Sequence, residues 1–224
     1  RNGLWKQADR LVVSSLDQIK VFPDFDKKGY KDIVTDLVNG CIVVCEQTRD
    51  AMVQVALPDG RKAWGDASAF EKIGKWADQE FDSAKIIETG YSMMGIPYLW
   101  GGMSTKSLDC SGFARVCYFA NGYILMRDAS QQALTGDRIE AAAWKQCQKG
   151  DLLFFGNAKT RRVTHVAIYE QDGWYLHSSG RVKRNSVDPD SEGYLTTPFL
   201  HAVRIAGNEG SKGITKVINH PWYF

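Results

Sequence analysis

The 224-residue sequence has no apolar run near the roughly 18 residues that would suggest a membrane span, so none is expected. It also lacks a charge excess: 28 basic residues stand against 26 acidic ones, spread along the chain. A nucleic-acid partner is therefore not expected, because binding phosphates needs clustered Lys and Arg. Cysteine is sparse, five residues in all, which excludes the dense disulfide framework of a small secreted scaffold and leaves at least one thiol free. No internal repeat or low-complexity tract is found. The chain opens Arg1-Asn2-Gly3-Leu4-Trp5, without an initiator Met or a charged-then-apolar leader. That opening reads as an interior piece of a longer precursor, with room for a further domain ahead of it.

What is present is an ordinary globular composition, 44% hydrophobic and 24% charged, and enough length for one large or two modest domains. Residues 9–70 read as short strands separated by tight turns, among them Leu11-Val12-Val13, Ile42-Val43-Val44 and Met52 to Leu57, which suggests a small β-barrel. Cys41 and Cys45 would share one strand face about 13 Å apart, too far for a disulfide, and are expected to be buried structural thiols. After Gly65 the pattern turns helical. The boundary is expected between Ser68 and Asp82, and the division is drawn as 1–70 and 71–224. Asp82 or Ser83 can cap a helix running to Met94, ended by Gly95 and Pro97, and a second helix starts at Asp109 and stops at Asn121-Gly122.

That second helix places Cys110 in its first turn, where unpaired N–H groups and the positive end of the macrodipole favour an anion. A nucleophilic thiol also needs an imidazole. Two are offered by the hairpin of Thr164–Tyr169 with Trp174–Ser178. Placing Val166, Ile168, Trp174 and Leu176 on the core face puts His165 and His177 together on the other. This requires paired residues whose numbers sum to an even value, such as 165 with 177. An odd-length loop or a bulge is therefore expected, since a simple two-residue Asp172-Gly173 turn would send the histidines to opposite faces. One ring could then pair with the thiol and the other fix its partner's tautomer.

Tyr98-Leu99-Trp100-Gly101-Gly102, Leu108-Asp109-Cys110-Ser111-Gly112-Phe113, Gly150 to Phe155 and Thr164-His165-Val166-Ala167-Ile168-Tyr169, followed by His177, together resemble the NlpC family of cell-wall cysteine peptidases. The resemblance implies an α+β, papain-like catalytic domain with a Cys110-His165-His177 triad, no metal and no cofactor. It implies cleavage between γ-linked D-Glu and a diamino acid, Lys or diaminopimelate, in murein stem peptides, and hence a cell-envelope or periplasmic location. Residues 9–70 resemble the bacterial SH3-like domains that precede such catalytic domains. Relatives with that arrangement often take short peptides with a free L-Ala amino terminus. By the same resemblance Tyr98, Asp109 and Ser111 line the pocket for that end, and the loop Arg127-Asp128-Ala129-Ser130-Gln131-Gln132 closes the groove, with Arg127 or Ser130 meeting a carboxylate. Ala129 departs from the hydroxyl that relatives can carry there.

Plainer readings stand beside these. Asp109 can be only a helix cap. Tyr98 can pack beneath the helix, and Trp100 is assigned to packing. Cys117 is read as core, Cys147 has no motif, and His201 and His220 are read as surface or supporting residues. The competing functions are an inert murein-binding module, or an acyltransferase or amidase on a related substrate.

Overall fold

In a computed structural model, residues 2–26 and 32–224 are described. The chain divides into two compact units, residues 1–79 with 218–224, and residues 80–217.

The first unit holds α1 (Asn2–Gln7), β1 (Arg10–Val13), β2 (Ile19–Val21), β3 (Thr35–Leu37), β4 (Ile42–Arg49), β5 (Met52–Ala56), β6 (Lys62–Asp66), β7 (Phe70–Lys72) and α2 (Ile73–Ala77). Five strands pair in the order β6-β5-β4-β1-β7 over a core that includes Val13, Val21, Val43, Val53 and Val55, while β2 and β3 pair separately. Among the described residues no ladder joins β6 to β7, so the expected closed barrel is not what the pairings draw. The three residues of β7 run straight into α2 and leave little strand to close a ring. Because α2 packs on β1 and β7 and buries Ile73, Trp76 and Ala77, the division falls after Gln79, later than residue 70 but inside the 68–82 interval. Cys41 and Cys45 are only partly buried, contrary to expectation. Within β4 only Val43 is fully buried, and the ladder to β5 is irregular just past Cys45.

The second unit contains α3 (Ser83–Ser92), β8 (Met103–Ser104), β9 (Ser107–Leu108), α4 (Cys110–Phe119), β10 (Tyr123–Leu125), α5 (Ala129–Gln132), β11 (Asp137–Glu140), β12 (Leu152–Gly156), β13 (Val163–Gln171), β14 (Trp174–Ser179), β15 (Arg181–Ser186), β16 (Phe199–Arg204) and β17 (Ile214–Lys216). Its main sheet is antiparallel, in the order β11-β16-β12-β13-β14-β15. Alternation divides the strands between two cores. On one face Leu152, Phe154, Val166, Ile168 and Leu176 pack with Phe113, Ala114 and Cys117 of α4. On the other, Leu153, Phe155, Ala167, Tyr169 and Tyr175 pack with Ile139, Cys147 and Val187. The helix that carries Cys110 is thus clamped to the strand that carries His165.

The β13–β14 turn is Asp172-Gly173, with φ of 50° and 81° as a two-residue hairpin requires. The register nevertheless pairs Ile168 with Leu176 and Tyr169 with Tyr175, because a bulge lies between Tyr169 and Gln171. The bulge restores the even parity expected of the histidines. They end one diagonal step apart, His177 pairing level with Ala167, and not directly opposite. Beyond the bulge Trp174 leaves the core: its ring stacks under the Arg184 guanidinium, 4.0 Å away, and faces Gly193.

Candidate active site

The start of α4 is built by its N-cap. Asp109 is extended, with φ −85° and ψ 179°, and its Oδ1 accepts from the Gly112 N–H at 2.6 Å and the Ser111 hydroxyl at 3.1 Å. Its Oδ2 accepts from the Gly101 N–H at 3.0 Å, and the Asp109 N–H donates to the Gly102 carbonyl at 3.0 Å, so the Tyr98–Gly102 loop is bonded to the first turn. Gly112 has no room for a side chain, since an added Cβ would lie 2.0 Å from that same Gly102 oxygen. This close approach accounts for the Gly-Gly and Cys-Ser-Gly spacing seen in the sequence.

Arg127 closes the arrangement. Its Nη2 donates to Asp109 Oδ2 at 2.7 Å and its Nη1 to Asp109 Oδ1 at 3.3 Å and Ser111 Oγ at 3.0 Å. Burial pushes the Asp109 carboxyl up, but Arg127, Gly112 and Ser111 together hold it below the usual carboxylate range. The guanidinium fork expected to meet a substrate carboxylate is already engaged in the protein, and the Asp109 carboxylate already has donors from four residues.

Cys110 is 9% exposed at the floor. Burial pushes its thiol up, while backbone N–H groups of Val166, Ser111 and Cys110 itself pull it down. The backbone donors, the Val166 N–H of β13 foremost, therefore moderate the penalty of burial without overcoming it. Val166 directly follows His165, which ties the thiol to the strand of the imidazole. Burial, with Lys183 adding to it, lowers His165 to about 4. His177 is lowered to about 3 by burial and His165, against the Asn185 hydrogen bond. At neutral pH both rings are uncharged.

The rings meet edge to face, with His165 Nε2 2.8 Å from His177 Nδ1. His177 Nε2 lies 3.0 Å from Asn185 Oδ1, and the Asn185 amide donates to the Gly193 carbonyl at 3.0 Å. Asn185 had no motif in the sequence. Only knowledge that β15 flanks β14 in this register places it beside His177.

A groove of about 480 Å3 opens over Cys110. It is lined by all six residues expected to contact substrate, Tyr98, Asp109, Ser111, Arg127, Asp128 and Ser130, and also by Trp100, Arg162 and Thr164. Trp100 is 87% exposed on the rim and does not serve packing. Its neighbours Tyr98 and Leu99 are exposed as well, so the loop offers no core to enter. Arg162 was missed because nothing marks it in sequence except its place two residues before the Thr164-His165 motif. Cys117 is fully buried in the core, and Cys147 lies in the second cluster, where burial raises it to about 12. His201 is 5% exposed, stacked on Phe154 and bonded to the Ala133 carbonyl, so it is neither at the surface nor beside the triad residues.

Residues 95–204, which contain all of this apparatus, match the NlpC/P60 family. A γ-D-glutamyl-L-lysine dipeptidyl-peptidase of Bacillus cereus is 33% identical over 147 residues, covering 63% of this chain and 43% of that protein. The enzyme of the same name from Bacillus subtilis is 41% identical over 103 residues, covering 46% and 34%. The chain thus spans less than half the length of these relatives. The crystal structure of an NlpC/P60 family protein from Bacillus cereus superposes with a TM-score of 0.73 at 25% identity, covering 89% of this chain and 64% of that one. Residues 95–204, just under half of the chain, are thus an NlpC/P60 domain with a papain-like fold.

Proposed function

We propose that this chain is a cysteine endopeptidase that hydrolyses the bond between γ-linked D-Glu and a diamino acid in murein stem peptides, acting on short peptides with a free N-terminal L-Ala. The observation that carries the reading is the conjunction of a groove, with a thiol at a helix N-terminus and a rim of charged side chains sized for a short peptide, and two hydrogen-bonded imidazoles on β13 and β14, the first of them next in the chain to Thr164 of that groove. The printed names of the two Bacillus relatives speak for the same bond.

In this reading His165 takes the Cys110 proton as the sulfur attacks the γ-carbonyl, so the S–C bond forms while charge builds on the carbonyl oxygen near the Cys110 N–H. Collapse breaks the C–N bond, and His165 returns the proton to the leaving amine. Water, deprotonated by His165, then cleaves the thioester and releases the γ-carboxylate. With Arg127 held by Asp109, Arg162 on the rim is the guanidinium left for a substrate carboxylate, and the exposed Asp128 the carboxylate left for an ammonium. The N-terminal strands are read as SH3-like, and the site of action as the cell envelope, where such peptides arise.

Mass-spectrometric product analysis decides the matter. The protein is incubated with L-Ala-γ-D-Glu-diaminopimelate, with the lysine peptide, and with each N-acylated. Release of the free diamino acid from unblocked peptides alone supports an enzyme that reads the amine. Equal cleavage of blocked peptides removes the short-peptide restriction, and cleavage of none returns weight to an inert binding module or an acyltransferase. Cys110→Ala should abolish turnover with its melting curve intact; an active alanine variant sinks the nucleophile assignment.

A further inference from the structure

The two histidines are not the end of the hydrogen-bonded chain. His165, His177 and Asn185 sit on β13, β14 and β15, each one diagonal step from the next on a single sheet face. Register explains this. His177 pairs level with Lys183, Tyr175 pairs level with Asn185, and both ladders keep even parity. The far end of the chain is backbone: the Gly193 carbonyl accepts from the Asn185 side-chain amide at 3.0 Å and from the Ser186 N–H at 2.8 Å.

These contacts have one consistent proton arrangement. A carbonyl cannot donate, so the Asn185 NH2 group must face Gly193, and Oδ1 must face His177. An amide oxygen accepts, so the proton of His177 sits on Nε2. Its Nδ1 is then a bare lone pair and accepts the Nε2–H of His165. The second nitrogen of His165, Nδ1, is left unprotonated.

We propose that Asn185 is the positioning residue that fixes this tautomer, holding His177 in the Nε2–H form and thereby keeping His165 Nδ1 free to take the Cys110 proton. The proposal rests on His165 acting as the base in the reading above. Asn185 touches no substrate and acts through His177. It suits two uncharged, desolvated rings, since an amide orients an imidazole without the full charge that a carboxylate would bring to the buried face. Gly193 belongs to the same device: an added Cβ there would meet the Trp174 ring at 2.3 Å, so the carbonyl that aims Asn185 depends on a residue with no side chain.

The test uses the full chain, labelled with 15N at histidine, as wild type, Asn185→Leu, Asn185→Asp and Gly193→Ala. Imidazole nitrogen spectra at pH 7, recorded without substrate, should show His177 of the wild type as a single Nε2–H tautomer. They should show Asn185→Leu as a mixture of both tautomers. On the diamino-acid peptide, Asn185→Leu should lose kcat by about tenfold or more at nearly unchanged KM, the worth of one buried hydrogen bond. Asn185→Asp keeps the acceptor and adds charge, so it should recover part of that loss and move the acid limb of the kcat/KM profile to higher pH. An unchanged His177 tautomer in folded Asn185→Leu overturns the proposal, as does a rate loss matched in Asn185→Asp with the pH limb unmoved. If Asn185→Leu does not fold, the Asn185→Asp limb and the Gly193→Ala spectrum decide in the same way. If the wild type cleaves no peptide, the substrate reading fails, and the tautomer spectra still support or refute the role of Asn185.

Discussion

At the scale of single residues, the groove is defined by charges already spent and groups kept neutral. Asp109 and Arg127 satisfy each other, so neither behaves as a free ion, while Cys110, His165 and His177 are pushed by burial toward their uncharged forms. An uncharged thiol reacts poorly, because the thiolate is the nucleophile toward alkylating agents. Cys110 in the substrate-free protein should therefore be alkylated slowly by iodoacetamide at pH 6, the rate climbing as pH rises past 8. A rate already at its plateau at pH 6 would show a preformed thiolate–imidazolium pair instead. The cysteine and the two histidines were legible as motifs. Their protonation was not, because it depends on how much strand and loop is stacked over them.

At the scale of elements, the site depends on two close approaches made by glycine and on one irregularity in a hairpin. Gly112→Ala puts a Cβ 2.0 Å from the Gly102 oxygen, backbone against backbone, so the Tyr98–Gly102 loop must move away from the helix that bears Cys110. The expected cost is about 2 kcal/mol or more in denaturant melts, with a larger proportional loss of activity. Gly74→Ala in α2 is the matched control. Nothing lies within 4 Å of its added Cβ, and helix propensity should make it neutral or stabilising by about 0.5 kcal/mol. Equal destabilisation by both substitutions would refute the steric argument. Helix starts, caps and the need for a bulge followed from turn chemistry and parity. The departure of Trp174 from the core did not, since it follows from the Gly193 loop folding back against that ring.

At the scale of the whole molecule, two consequences reach beyond the groove. The unfolded chain takes up protons on its histidines near pH 6.5, whereas His165 and His177 in the folded protein take them up near 4 and 3. Between those values the unfolded state binds more protons, so stability rises with pH and is lost as pH falls from about 6.5 toward 4. The loss should be on the order of 6 kcal/mol, about 1.4 for each pH unit and each histidine, read as a falling urea midpoint, and removed in large part when both histidines are replaced by Gln. A midpoint constant from pH 7 to 4.5 would contradict it. The last seven residues return to the N-terminal unit, where the Tyr223 carbonyl accepts from Arg10 Nη1 at 2.6 Å and the Phe224 ring lies 5.3 Å from that guanidinium. Removing residues 218–224 strips partners from an Arg10 that is only 5% exposed. The N-terminal unit should lose about 1 to 3 kcal/mol, seen as earlier hydrogen exchange in β1 and β4, and unaltered exchange there would show the tail to be dispensable.

Local rules determined much of this protein before any contact was known. Short apolar and alternating runs located β12, β13 and β14, capping chemistry set the helix at Asp109, and motif spacing brought Cys110, His165 and His177 into one family pattern, because these depend on near neighbours in the chain. The tertiary structure alone decided that Arg127 serves Asp109, that Trp100 and Arg162 line the groove, that β7 continues into α2 without closing a ring, and that Asn185 stands behind His177. Each of these depends on which distant strand or loop lies alongside, and that is settled by packing across the whole unit, which no short window of sequence contains.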